Sequence, residues 1–344
     1  MKRKPIFDNL LKVLNREIPS RPVLMELFMN QTIYNKFCDP KYLDAEFMKA
    51  NGDIAWSLIM ASAFENLGYD YFTIHPTNFG FAQKPREHAQ TTTINHDAAI
   101  YDKKSFDEYK WNEPDDCSIA HLDKLAEHIP ENMKAVMIGP GGVLENIIGI
   151  MGYDNLCMQI YENPQLVSDV SENVGKRLVR YYEIASAHDI IGAAWGNDDW
   201  GFNTQTMLSP KQMREYVFPW HKKIVETVHN RGKPCVLHSC GKADEVMDDI
   251  CDDIKYDGRH SYEDVIMPVE DFYEKYHDRI AVIGGIDVDF ITRRTPEEIK
   301  ERSSRMLERV SSRGGYALGT GNSVPEYIPV DNYLSMLEAA YELD

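Results

Sequence analysis

An apolar run in "KPCVLHSCG" (233–241) ends in His238 and Cys240, two residues apart and followed at once by Gly241. In an extended chain, side chains two apart share a face. An imidazole nitrogen and a thiolate sulfur could therefore point the same way from one strand end. Those are ligand types that Zn²⁺ takes, with one or two more supplied from elsewhere in the chain. Two plainer readings stand beside it. One is a buried free cysteine next to a histidine bonded to backbone. The other is a Cys–His nucleophile pair, a geometry that same-face neighbours on a strand seldom reach.

His260 in "GRHSYED" (258–264) ends the next apolar run and is the expected third metal ligand, ahead of Glu26 and Asn322. Asp198 and Asp199 in "WGNDDWG" (195–201) are candidate catalytic acid/base groups, or ordinary turn and helix-capping residues. His75 in "TIHPTNFG" is a third catalytic candidate. It precedes Pro76, which holds it extended, and it could serve only to shape its loop. Glu26, Asn197, Asp287 and Asn322 are the candidate substrate-binding residues. "GPGG" (139–142) and "GTGN" (319–322) allow close backbone approach, but neither matches a P-loop or a dinucleotide fingerprint.

These residues need a scaffold that brings strand ends together. Eight apolar runs read as strands: 21–28, 69–76, 134–142, 190–199, 233–241, 254–261, 279–287 and 315–323. Helical patterns separate most of them. Ser209 and Pro210 open one helix that Gly232 closes and Pro219 should kink. Thr295 and Glu298 form a capping box for another, whose apolar face is Ile299, Met306, Leu307 and Val310. Strand–helix alternation predicts an α/β fold with a parallel sheet, and eight units predict a closed (β/α)8 TIM barrel. Residues 1–20 read as an N-terminal amphipathic helix, and 77–106 as a β-hairpin insertion after the second strand, over the barrel mouth. Nearly every strand run ends in polar or glycine residues, which a shared pocket at that mouth explains.

The 344 residues show no linker, so one domain over 1–344 is expected. A net charge of −18 argues against nonspecific binding to nucleic acid or an anionic membrane. No apolar run is long enough to span a bilayer, and the charged N-terminus does not read as a signal peptide. Six scattered cysteines suit reduced thiols in a cytoplasm.

The chain resembles the uroporphyrinogen decarboxylase superfamily. The likeness is densest from Gly139 to Asn322, in "GPGGVLENIIGIMGYDNLCMQIYENPQLV", "GNDDWGFNTQTMLSPKQMREYVFPWHKKIVETVHNRGKPCVLHSCG" and "VIGGIDVDFI". The resemblance implies a (β/α)8 barrel and either of two chemistries, decarboxylation or corrinoid-linked methyl transfer. The decarboxylases carry an arginine-rich segment, F-M-R-Q-A-G-R-Y, that holds substrate carboxylates. "VLMELFMNQTIY" (23–34) has no arginine there. Their catalytic aspartate at the second strand end is also missing, and "FTIHPTNFG" stands in its place. The methyltransferase branch, which includes methylcobamide:coenzyme M methyltransferases, uses His-x-Cys after the fifth strand to bind zinc. His238 and Cys240 match that motif. The third ligand of that branch is a cysteine near the eighth strand, where this chain has Asn322 or a glycine, so His260 is the preferred replacement.

The resemblance thus implies a zinc-dependent methyltransferase moving a methyl group between a corrinoid, carried on a partner protein, and a small thiol or pterin. The alternatives are a decarboxylase-like lyase on a smaller or different carboxylate, a metal-independent lyase or hydrolase using Asp198 or Asp199 with His260, and a non-catalytic corrinoid- or ligand-binding barrel. A homodimer is a further expectation from the family.

Overall fold

The computed structural model describes residues 3–82 and 98–344. Each apolar run contributes one strand: β1 Val23–Leu24, β2 Tyr71–Ile74, β3 Lys134–Ile138, β4 Ile191–Asn197, β5 Cys235–His238, β6 Gly258–His260, β7 Ala281–Ile283 and β8 Tyr316–Leu318. All pair in parallel, in the order β1-β8-β7-β6-β5-β4-β3-β2. The strands are shorter than the runs that announced them. The remainder of each run becomes the loop that carries its polar residues. Strand residues are almost all buried, as expected for a parallel sheet covered by helices.

The expected closed barrel is met with one difference. β1 and β2 form no backbone ladder. Their edges nevertheless meet through side chains, Arg21 on Asp70 before the strands and Tyr71 on Glu26 beyond them. The Glu26 N–H donates to Tyr71 Oη at 2.6 Å, and the Tyr71 hydroxyl donates to the Glu26 carbonyl. β1 has only two residues, too few to register a ladder on both sides. The sheet thus curls until its edges touch, an arrangement compatible with a (β/α)8 barrel.

The N-terminal helix is Phe7–Leu14, shorter than the expected 1–20, with Phe7, Leu10, Val13 and Leu14 buried. It packs under the starts of the strands. A Cβ on Gly192, at the start of β4, would lie 2.4 Å from the Phe7 ring, so glycine makes room for this plug. The helix opened by Ser209 is split into Pro210–Tyr216 and Phe218–His229, a break at Val217 beside Pro219. The capping box of Thr295 and Glu298 forms on Pro296–Val310, with Ile299, Met306, Leu307 and Val310 buried.

Half of the expected hairpin (77–106), residues 83–97, lies outside the described residues. At its C-terminal end the chain is helical instead, over Lys103–Glu108, because Asp102 and Ser105 form a capping box. Among the described residues, no helix is long and apolar enough to cross a membrane.

Candidate active site

Register builds the site. Asn197, His238 and His260 stand side by side at the ends of β4, β5 and β6. Beyond His238 the chain turns at Gly241, where φ is +82° and an added Cβ would lie 2.1 Å from the Gly201 carbonyl oxygen. Only glycine fits there. The turn lets the Cys240 N–H donate to Asp199 Oδ1 at 2.9 Å, docking the loop after β4 onto the loop after β5. Asp199, His238 and Cys240 each offer one donor atom, and these atoms all lie within 4.8 Å of one another. His238 Nε2 is 3.8 Å from Cys240 Sγ and 3.9 Å from Asp199 Oδ1.

The surroundings tune these groups. Burial pushes the Cys240 thiol up to about 12, and the Asp199 carboxylate adds to the rise; Ser261 and Asn322 work against it by hydrogen bonding. Burial drives His238 down to about 4, helped by the nearby Arg259 guanidinium. A neutral imidazole is a ligand, and a thiol this hard to ionise needs a cation to become one. One nitrogen, one sulfur and one carboxylate oxygen make a mixed donor set suited to Zn²⁺.

His260, expected as the third ligand, is outside this cluster. Its Nδ1 stands 2.7 Å from His238 Nδ1 and its Nε2 stands 3.0 Å from the Thr320 carbonyl. Both nitrogens are occupied by protein. The cluster's third member is Asp199, which sequence reasoning had set aside for acid/base work.

Other candidates also land elsewhere. Asp198 is fully buried and accepts from the Leu144 and Glu145 N–H groups at 2.8 and 2.9 Å and from His221 Nε2 at 2.8 Å. It caps the helix Val143–Met151 and has no oxygen left for a substrate. That helix starts at Gly142 because a Cβ there would lie 2.1 Å from the Asp198 side chain. Asp287 likewise caps its own helix, accepting from the Phe290 and Asp264 N–H groups, each at 2.9 Å. Glu26 is fully buried, with both oxygens on Thr320, rather than facing a ligand. His75 is exposed and stacks on Phe28, ring centroids 5.6 Å apart.

Two candidates remain next to the cluster. Asn322 donates from Nδ2 to Cys240 Sγ at 3.3 Å and also lines a broad cleft with Tyr262, Glu263, Asp287 and Ser323. Asn197 Oδ1 is buried without a hydrogen-bond partner. Glu145 was missed. Its side chain accepts from the Gly142 N–H at 2.8 Å, and burial together with Asp198 and Asp199 raises its carboxyl to about 8. Nothing in "GGVLE" (141–145) signals its burial beside two aspartates.

A model of the family described as uroporphyrinogen decarboxylase (URO-D) matches residues 99–343. The chain belongs to the uroporphyrinogen decarboxylase family. The solved structures similar to this URO-D chain include a methyltransferase from Methanosarcina mazei, with 14% identity, a TM-score of 0.68 and 99% of each chain covered. That likeness shows the fold. A Listeria monocytogenes protein assigned as a vitamin-B12-independent methionine synthase matches at 13% identity and a TM-score of 0.49, over 99% of this chain and 98% of that one. A search of curated proteins finds no match.

Proposed function

We propose that this URO-D family member is a zinc-dependent methyltransferase acting between a corrinoid, carried on a partner protein, and a small thiol or pterin. The observation that carries this reading is the Asp199–His238–Cys240 cluster, with donor atoms of three kinds within 4.8 Å at the ends of adjacent strands. The family and the fold shared with a methyltransferase support it.

His238 Nε2, Cys240 Sγ and an Asp199 oxygen would hold the metal. When bound, Zn²⁺ would supply Lewis acidity that lowers the pKa of a substrate thiol. Asn322 links the cleft to the Cys240 sulfur, and a substrate entering by that cleft meets it first. The unpaired Asn197 Oδ1 offers an acceptor to a substrate N–H or O–H. Glu145 keeps a proton at neutral pH close to Asp199, as a proton source at the edge of the centre. The sheet is taken as a (β/α)8 barrel whose mouth docks the corrinoid protein, and six unpaired cysteines suit a reducing cytoplasm.

Zinc analysis of chelator-washed, reloaded protein tests the reading. One zinc per chain in the wild type, lost in Cys240→Ser, is the expected result. Equal zinc in both, or none in either, overturns it. A second reading, a lyase on a carboxylate other than uroporphyrinogen, is favoured by the protonated Glu145 carboxyl. Carboxylate turnover that survives zinc removal and falls in Glu145→Gln would support that reading.

A further inference from the structure

Thr320 lies at a junction of three buried groups. Its N–H donates to Glu26 Oε1 at 2.8 Å, its carbonyl stands 3.0 Å from His260 Nε2, and its hydroxyl lies 2.6 Å from Glu26 Oε2 and against the Asn322 carbonyl. His260 in turn meets His238, whose far nitrogen faces Cys240 and Asp199. The protons from Thr320 to His238 can be assigned one after another, because the Thr320 carbonyl cannot donate.

The Thr320 carbonyl requires a proton on His260 Nε2. His260 is fully buried, with no carboxylate bonded to it, and its ring packs against Trp195. A fully buried ring whose nitrogens meet only a carbonyl and a second imidazole has no counter-charge to hold it as a cation, so it is neutral. A neutral ring with its proton on Nε2 has a lone pair on Nδ1. The His238 Nδ1, 2.7 Å away, must then be the donor. His238 is consequently the Nδ1–H tautomer, and its bare Nε2 points at the cluster. At the other end, the Thr320 hydroxyl has one proton and two acceptors beside it. It is shared between the Glu26 carboxyl and the Asn322 carbonyl, and together with the Thr320 N–H bond to Glu26 it fixes the carbonyl that His260 meets.

We propose that Glu26, Thr320 and His260 form a positioning chain that fixes the His238 tautomer and aims its Nε2 lone pair at Cys240 and Asp199. The consequence for zinc rests on the metal reading above; the tautomer does not. Outer partners of this kind orient ligating imidazoles, and losing one typically costs about 10–100-fold in metal affinity. Here the outer partner is another histidine, itself oriented by a backbone carbonyl.

The test uses metal-free full-length protein labelled with ¹⁵N-histidine. Long-range ¹H–¹⁵N correlation reads each tautomer directly, and competition against a chromophoric chelator reads zinc affinity. His238 is expected as the Nδ1–H form in the wild type. His260→Leu should release it to the Nε2–H form and weaken zinc about 10–100-fold. His260→Asn, whose Oδ1 can replace the lost acceptor, should restore both. A wild-type His238 carrying its proton on Nε2 overturns the inference, and that result needs no variant to fold. Zinc affinity unchanged in His260→Leu also overturns it. The expected tautomer in a protein that binds no zinc upholds the positioning chain and sinks the metal reading instead.

Discussion

Asn322 donates its side-chain N–H to the sulfur of Cys240 across 3.3 Å, from the loop after β8 to the loop after β5. Its Oδ1 is held by the Ser323 N–H at 2.7 Å, which fixes the amide with its nitrogen toward the sulfur. Asn322 thus supplies a donor that favours the thiolate.

Removing that donor should make Cys240 harder to ionise. Asn322 lowers the thiol pKa against the larger effect of burial. In metal-free Asn322→Ala, the pH profile of Cys240 alkylation, followed by mass spectrometry of its peptide, should move to higher pH. A profile that stays in place or moves down would remove Asn322 from the sulfur's environment.

Asp199 should show two effects of opposite sense. It contributes a ligand atom to the cluster, so Asp199→Asn should weaken zinc by more than the roughly 10–100-fold typical of an outer partner. Its charge also raises the Cys240 thiol pKa, so the same variant without metal should alkylate at lower pH. Chelator competition and alkylation kinetics on one protein sample separate the two.

Asp198 stands next to it in the chain but should behave as a structural residue. Its buried carboxylate holds two helix N–H groups and His221, whose Nδ1 in turn meets Tyr256 Oη at 2.7 Å. Asp198→Ala should cost about 3–5 kcal/mol, read as a lower urea midpoint. Zinc stoichiometry in the fraction that folds should match the wild type.

Glu26 gives the fold a pH dependence of unusual sign. Burial raises its carboxyl to about 8 from 4.5, with Thr320 opposing the rise. Between those values the folded chain keeps a proton that the unfolded chain has lost. Its contribution is therefore fully present below about pH 4.5 and is lost as pH climbs to about 8. The slope attributable to this one group is at most about 1.4 kcal/mol per pH unit. Urea denaturation across that range should show wild-type stability falling relative to Glu26→Gln, and parallel curves would refute the assignment.

The architecture was legible because each strand announced itself as a short apolar run between helical patterns. His238 and Cys240 were legible for a local reason, since alternation along one strand puts them on one face. Asp199 joins the cluster in the place expected for His260 because both positions depend on how neighbouring loops dock. No spacing in the sequence reveals that the Cys240 N–H seizes Asp199, or that His260 turns both nitrogens to protein. The caps made by Asp198 and Asp287 have the same origin: an acidic residue past a strand reads alike whether it meets a helix start or a ligand. Glu26 was read as a candidate substrate-binding residue, and only the fold shows its carboxyl turned onto Thr320 at the end of the adjacent strand β8.

The phenol of Tyr71, a lace between the β1 and β2 edges, holds the backbone of Glu26, the first link of the chain that reaches His238. Slackening at this seam would thus be felt across the barrel, at the imidazole itself. Whatever grips or strains the first strand from outside has a mechanical handle on the reactive centre without entering it.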